Sequence, residues 1–132
     1  MEQRARIGEI ELAYEVYGDG PPLVWCHGLA SCGDGDRDVI DAFSETFTVL
    51  SYDARGHGRS SPVRDAREFS YVKLAEDAIG MLDHVGWASA IFTGASMGAA
   101  DQLREQVDRD FRRQIGEERR GLAGPKLALL ER

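Results

Sequence analysis

Cysteine is scarce in this chain, with only Cys26 and Cys32 among 132 residues, too few for the disulfide framework that staples small secreted domains. A zinc site built on Cys26, His27 and Cys32 fails on spacing and lacks a fourth ligand. Both thiols are therefore expected to be reduced, with Cys26 buried in an apolar run. Positive charge is also short: 16 Lys and Arg stand against 23 Asp and Glu, a net charge of −7. That balance argues against nucleic acid as a partner, because phosphate binding requires clustered cations. No apolar run approaches the roughly 18 residues of a membrane helix. The start, Met1 to Arg6, leads into no apolar signal segment. A cytoplasmic chain with no membrane partner is expected. Histidine occurs three times, as His27, His57 and His84, and none follows.

Glycine is abundant, 15 residues, and most of it punctuates apolar segments as turns. Ile10, Leu12, Tyr14 and Val16 alternate with Glu9, Glu11 and Glu15, the pattern of a half-buried strand. Leu23–Cys26 and Phe47–Tyr52 are short runs rich in β-branched and aromatic residues, expected as strands buried on both faces. Between them Val39, Ile40 and Phe43 fit one helical face. Residues 71 to 85 place Tyr71, Val72, Leu74, Ala75, Ala78, Ile79, Met81, Leu82 and Val85 on one half of a helix, and Lys73, Glu76, Asp77, Gly80, Asp83 and His84 on the other. Ser70 caps this helix and Gly86 stops it. A third buried strand follows over 88–93. Strands and helices in that alternation predict an α/β fold with parallel crossovers.

Past residue 100 the composition shifts. Residues 1–100 carry 8 basic and 16 acidic residues, whereas 101–132 carry 8 and 7. The chain divides on this basis into 1–100 and a charged helical tail, 101–132. Ala100, Leu103, Val107, Phe111 and Ile115 form a narrow apolar stripe, and Gly121 and Gly124-Pro125 break the helix. Lys126 to Arg132 are strong helix formers, and although Leu127 to Leu130 could pair as a strand, helix or a frayed end is expected over strand.

Gly94-Ala95-Ser96-Met97-Gly98 is a G-x-S-x-G pentapeptide between a buried strand and a helical pattern. A serine on such a turn needs small neighbours, here Gly94 and Gly98, and its hydroxyl emerges at the carboxyl edge of the sheet, where the helix amides stabilise an anion. Two further motifs precede it: His27-Gly28-Leu29 directly after a strand, and Asp53-Ala54-Arg55-Gly56-His57-Gly58-Arg59-Ser60 after the next. With these three motifs in this order, the sequence resembles the N-terminal half of an α/β-hydrolase-fold protein of the serine hydrolase branch. The resemblance covers residues 10 to 100. It implies a mostly parallel sheet with an N-terminal antiparallel strand pair, a partial fold truncated after the elbow helix. It also implies Ser96 as nucleophile and the backbone N–H groups of Met97 and Leu29 as the oxyanion hole. His27, Gly28, Gly94, Gly98, Asp53, Arg55, Gly56, His57 and Gly58 support these motifs, and His27 and His57 match positions that orient loops rather than act as general bases. His84 is expected to be solvated.

The implied substrate is a small ester, lactone, thioester or amide; serine in place of aspartate points away from the dehalogenase and epoxide-hydrolase branches. No cofactor and no metal are implied. Asp34, Asp36, Asp38 and Glu45 fit positions of a calcium loop, but Val39 stands where that loop needs glycine, and helix capping explains these acids better. Ser70-Tyr71-Val72-Lys73 fits S-x-x-K without its companion segments. In the resembled family the triad acid and histidine follow the serine, yet no histidine follows Ser96. A second expectation therefore stands beside the hydrolase: a catalytically inactive, truncated or frame-shifted fragment that self-associates through an exposed edge strand, unless the tail covers the strand at 88–93.

Overall fold

A computed structural model describes residues 2–28, 32–95, 105–110, 112–113 and 127–129. It contains β1 (Gln3–Ile7), β2 (Ile10–Tyr17), β3 (Pro22–Cys26), α1 (Arg37–Ser44), β4 (Thr48–Tyr52), α2 (Tyr71–Val85), β5 (Ala90–Gly94) and β6 (Leu127–Leu129). The strands form one sheet in the order β1-β2-β4-β3-β5-β6. β1 and β2 are an antiparallel hairpin closed by Gly8-Glu9, with Gly8 at φ +60°, the left-handed backbone a two-residue turn demands. β2 lies antiparallel to β4, and β4, β3, β5 and β6 run parallel.

Alternation along each strand sorts the core into two layers. Leu23, Trp25 and Val49 face Ile40 and Phe43 of α1. Val24, Leu50 and Phe92 face Leu74, Ala78, Met81 and Leu82 of α2. Each of the larger α2 side chains contributes roughly 1.5–3 kcal/mol by leaving water. Ser70 Oγ accepts the Lys73 N–H at 3.2 Å, and Gly86 at φ +75° closes the other end, so both expected caps of α2 are present.

Several expectations need correction. Asp77, assigned to the polar half of α2, is 2% exposed. At 100° per residue it lies about 40° from Met81 and about 60° from Leu74, inside the apolar arc. Val16, Val39 and Val72, assigned inward, are exposed. One of the acids expected to cap does not do so: Asp36 precedes α1 without a side-chain cap bond, and its carboxylate instead accepts Trp25 Nε1–H at 2.9 Å. Strand β5 begins and ends later than 88–93.

The largest difference is in the tail, where Leu127–Leu129 is a strand paired parallel to β5 through Ala90↔Leu127, Ile91↔Ala128 and Phe92↔Leu129. Its residues favour helix intrinsically, but an open β5 edge offers a row of unpaired N–H and C=O groups, and pairing with them outweighs propensities of a few tenths of a kcal/mol. The strand at 88–93 is therefore not an edge. Residues 105–110 are helical, and Val107 is fully buried in the α2-side core. The other members of that stripe, Ala100, Leu103, Phe111 and Ile115, lie outside the described residues. Among the described residues no helix is long and apolar enough to cross a membrane.

Candidate active site

Three loops leave the carboxyl ends of adjacent parallel strands: the segment after β3 begins with His27, that after β4 with Asp53, and that after β5 with Ala95. Cys26 and Gly94, the last residues of β3 and β5, are direct Cα partners. The Ala95 N–H extends the ladder one step further by donating to the Cys26 carbonyl at 3.0 Å. The turns after β3 and β5 thus start side by side, at the sheet edge where open α/β folds bind ligands. Ser96, Met97, Gly98 and Leu29, the expected nucleophile, elbow and oxyanion residues, lie outside the described residues. Their immediate predecessors, Gly94 and Ala95 on one side and His27 and Gly28 on the other, are the residues brought together.

His27 is buried and engaged at both ring nitrogens. The Ala54 N–H donates to Nε2 at 2.9 Å, and Nδ1 donates to the Gly28 carbonyl at 2.7 Å. Burial lowers its pKa from 6.5, with the Gly28 contact opposing, so the ring is neutral. A nitrogen that already accepts a backbone N–H has no lone pair to take a proton from serine, which removes His27 as a general base. His57 lies beside it, ring centroids 5.0 Å apart and planes tilted by 56°, and contacts the Arg55 carbonyl through Nδ1 at 3.0 Å. His84 is exposed on α2, edge-on to Tyr14.

The Asp53–Ser60 segment is a structural turn. Asp53 accepts the Gly33 N–H at 2.8 Å on one carboxylate oxygen and the Arg59 N–H at 3.0 Å on the other. Gly58, at φ +49°, lies so close that a Cβ there would fall 2.2 Å from Asp53 Oδ2, which explains the glycine. Ser60 Oγ accepts the Ala13 N–H and donates to the Asp53 carbonyl, binding the turn to β2.

Arg55 anchors the same turn from below. Its Nε and Nη2 grip both oxygens of Asp77 at 2.6 and 2.7 Å, and Nη1 donates to the Glu68 carbonyl at 2.8 Å. The Asp77 carboxylate raises the Arg55 pKa further, keeping the guanidinium charged. This partner was missed in sequence; an acid within the apolar arc of α2 and an arginine inside a turn motif were the two signals available. Cys26 is buried beside the Tyr52 hydroxyl at 3.5 Å, and burial pushes its thiol up to about 12. It is buried and outside any disulfide, as expected. Among the described residues there is no group of three or more His, Cys, Asp or Glu side chains placed to hold a metal ion.

Comparison with known proteins agrees with this architecture. The model of the alpha/beta hydrolase fold matches residues 21–100. The non-heme haloperoxidase of Rhodococcus erythropolis is 30% identical over 95 residues, covering 71% of this chain and 34% of that protein. The bifunctional esterase/perhydrolase DCH of Acinetobacter calcoaceticus is likewise 30% identical over 95 residues, covering 70% and 34%. The solved structure of the epoxide hydrolase CorEH superposes with a TM-score of 0.76 at 28% identity, over 85% of this chain and 38% of that one. The chain thus spans about a third of the length of the curated relatives it matches. Its sheet order, its three carboxyl-edge turns and the match over residues 21–100 together make this chain a member of the α/β-hydrolase fold family.

Proposed function

We propose that the chain carries the nucleophile and oxyanion hole of a serine hydrolase acting on small esters, lactones, thioesters or amides. The observation that supports this most directly is the Cys26↔Gly94 register with the Ala95 N–H on the Cys26 carbonyl. It starts the two turns that carry Leu29 and Ser96 from neighbouring points on one sheet edge. In this reading Ser96 Oγ adds to the substrate carbonyl carbon, and the oxygen that gains the electron pair is held by the N–H groups of Leu29 and Met97. The leaving alcohol, thiol or amine departs with the proton given up by the Ser96 hydroxyl, and water then adds to the acyl carbon, one of its protons returning to Ser96 Oγ as the acid is released. Relatives include both an esterase and an epoxide hydrolase by name. Serine rather than aspartate at the nucleophile position favours acyl transfer. The two cysteines, neither in a disulfide, suit a cytoplasmic setting.

A second reading is favoured by the histidines: none follows Ser96, and both nitrogens of His27 are committed. The chain by itself would then turn acyl compounds over only weakly, because removing a triad member leaves only about 10³–10⁴-fold catalysis over water. A p-nitrophenyl alkylphosphonate separates the two. An activated Ser96 forms an Oγ–P bond and expels p-nitrophenolate, and Ser96→Ala abolishes labelling and ester hydrolysis together. A folded chain that stays unlabelled supports the second reading and sinks the first.

A further inference from the structure

Among the described residues one buried serine hydroxyl has no partner. Ser51, on β4, is 5% exposed and its Oγ makes no hydrogen bond there, whereas the other buried serine, Ser60, both accepts and donates. An unsatisfied hydroxyl in such a place is costly, and a group that bonds to it recovers the cost. Alternation along β4 puts Ser51 on the α1 face with Val49. On that face it lines a cleft that opens to solvent, together with Glu15 of β2, Asp53 and Gly33. Glu15 and Ser51 are direct Cα partners in the antiparallel ladder, which sets their Cβ atoms about 4.5–5.5 Å apart. A Cβ on Gly33 would fall 2.8 Å from Ser51 Oγ and 3.4 Å from Asp53 Oδ1. Glycine at that position keeps open a point close to both oxygens. The inner space is about the size of one water molecule.

Charge in the cleft is one-sided. Glu2, which also lines it, is paired with Arg4 and Arg59. Glu15 and Asp53 form no ion pair among the described residues. Glu15 accepts the Tyr17 hydroxyl, and that hydroxyl accepts Arg37 Nη1 at 2.9 Å, so the guanidinium is held one hydroxyl away from the carboxylate. Asp53 accepts two backbone N–H groups, and a carboxylate has lone pairs for more. Three acceptors with two uncompensated negative charges complement a compact cation that carries three donors. An –NH₃⁺ group has that form. A metal ion suits the cleft less, because among the described residues no three His, Cys, Asp or Glu side chains are placed to hold one. We propose that this cleft binds a primary ammonium group, which donates one N–H each to Ser51 Oγ, Glu15 and Asp53. The site is independent of Ser96 and of the hydrolase reading.

Methylammonium is the simplest probe. In ¹⁵N-labelled full chain, methylammonium chloride should shift the Ser51 and Gly33 amides saturably, with a Kd of about 10 mM or weaker, the ceiling for a ligand of two non-hydrogen atoms. Sodium chloride and tetramethylammonium chloride at equal ionic strength should not, since one is a bare ion and the other has charge without an N–H. Ser51→Ala should weaken methylammonium binding by about 10-fold or more, the loss of one charge-assisted hydrogen bond. Without amine, its melting temperature should equal or exceed that of wild type, because an unsatisfied hydroxyl has left the interior. Glu15→Gln keeps the shape, removes the charge and should weaken binding by a similar factor, which tests the site without altering Ser51. Nα-acetyl-lysine amide separates the sources of the group: binding tighter than that of methylammonium supports a lysine side chain of a peptide, and equal or weaker binding supports a free amine. The proposal is overturned by the absence of a saturable shift, by an equal response to sodium or tetramethylammonium, or by unchanged affinity in the two variants.

Discussion

Removing the carboxylate of Asp77 should destabilise the fold far more than an ordinary ion-pair deletion. The pair is buried, with side-chain exposures of 10% for Arg55 and 2% for Asp77, and both carboxylate oxygens are engaged. At an effective dielectric of about 20, two unit charges about 4 Å apart attract by about 4 kcal/mol. An orphaned guanidinium in this position has lost its counter-charge, keeping only the Glu68 carbonyl at 2.8 Å, and breaking a buried pair from one side costs about 3–5 kcal/mol. Asp77→Ala should therefore lower Tm by roughly 10–20 °C, at roughly 3–5 °C per kcal/mol for a domain of this size. Urea unfolding followed by circular dichroism should give a lower midpoint at an unchanged slope. The discriminating variant is the double substitution Arg55→Met with Asp77→Leu. It removes both charges at similar volume and should return to within about 1 kcal/mol of wild type, because a matched apolar pair often replaces a buried ion pair at no cost. An Asp77→Ala cost below about 1 kcal/mol, the range of exposed pairs, would refute the argument, as would a double variant no more stable than the weaker single one.

Protonation of His27 should destabilise the fold. Its folded pKa lies below 6.5 through burial, with His57 opposing its charge and Asp53 and Asp36 favouring it. The unfolded chain thus binds the extra proton more readily, and the stability His27 contributes is complete above 6.5 and lost as pH falls through the folded value. Thermal melts between pH 8 and pH 5 should show a flatter dependence for His27→Gln than for wild type; identical slopes contradict this. Deleting 127–132 uncovers β5, so light scattering should detect self-association absent from the full chain; a monomeric deletion variant argues against edge protection by β6. Ser70→Ala removes the acceptor for the Lys73 amide and should cost about 1 kcal/mol in urea unfolding. Native Cys26, with its thiol pushed up to about 12, should resist alkylation until the chain unfolds; labelling at the rate of an exposed thiol refutes its burial.

Local rules carried the central elements. Alternation marked β2, the β-branched runs marked β3 and β4, and the 3.6-residue period with Ser70 and Gly86 placed α2 at its observed bounds. These are readable because each depends on residues close together in the chain. The roles of Asp77 and of Leu127–Leu129 were not readable in this way. Helix propensity and a polar side chain described each correctly in isolation, but Arg55 lies 22 residues from Asp77, and β5 lies more than 30 residues before β6.

The sequence alone determined the α/β alternation, the three ordered motifs and the absence of a histidine after Ser96. Only the tertiary structure decided which tautomer His27 holds, which charge Arg55 neutralises and which strand covers β5. In each case the deciding partner is a backbone or carboxylate group from a distant segment. Hydrogen bonding to such a group is imposed by burial, where an unsatisfied polar atom costs more than any local preference can return.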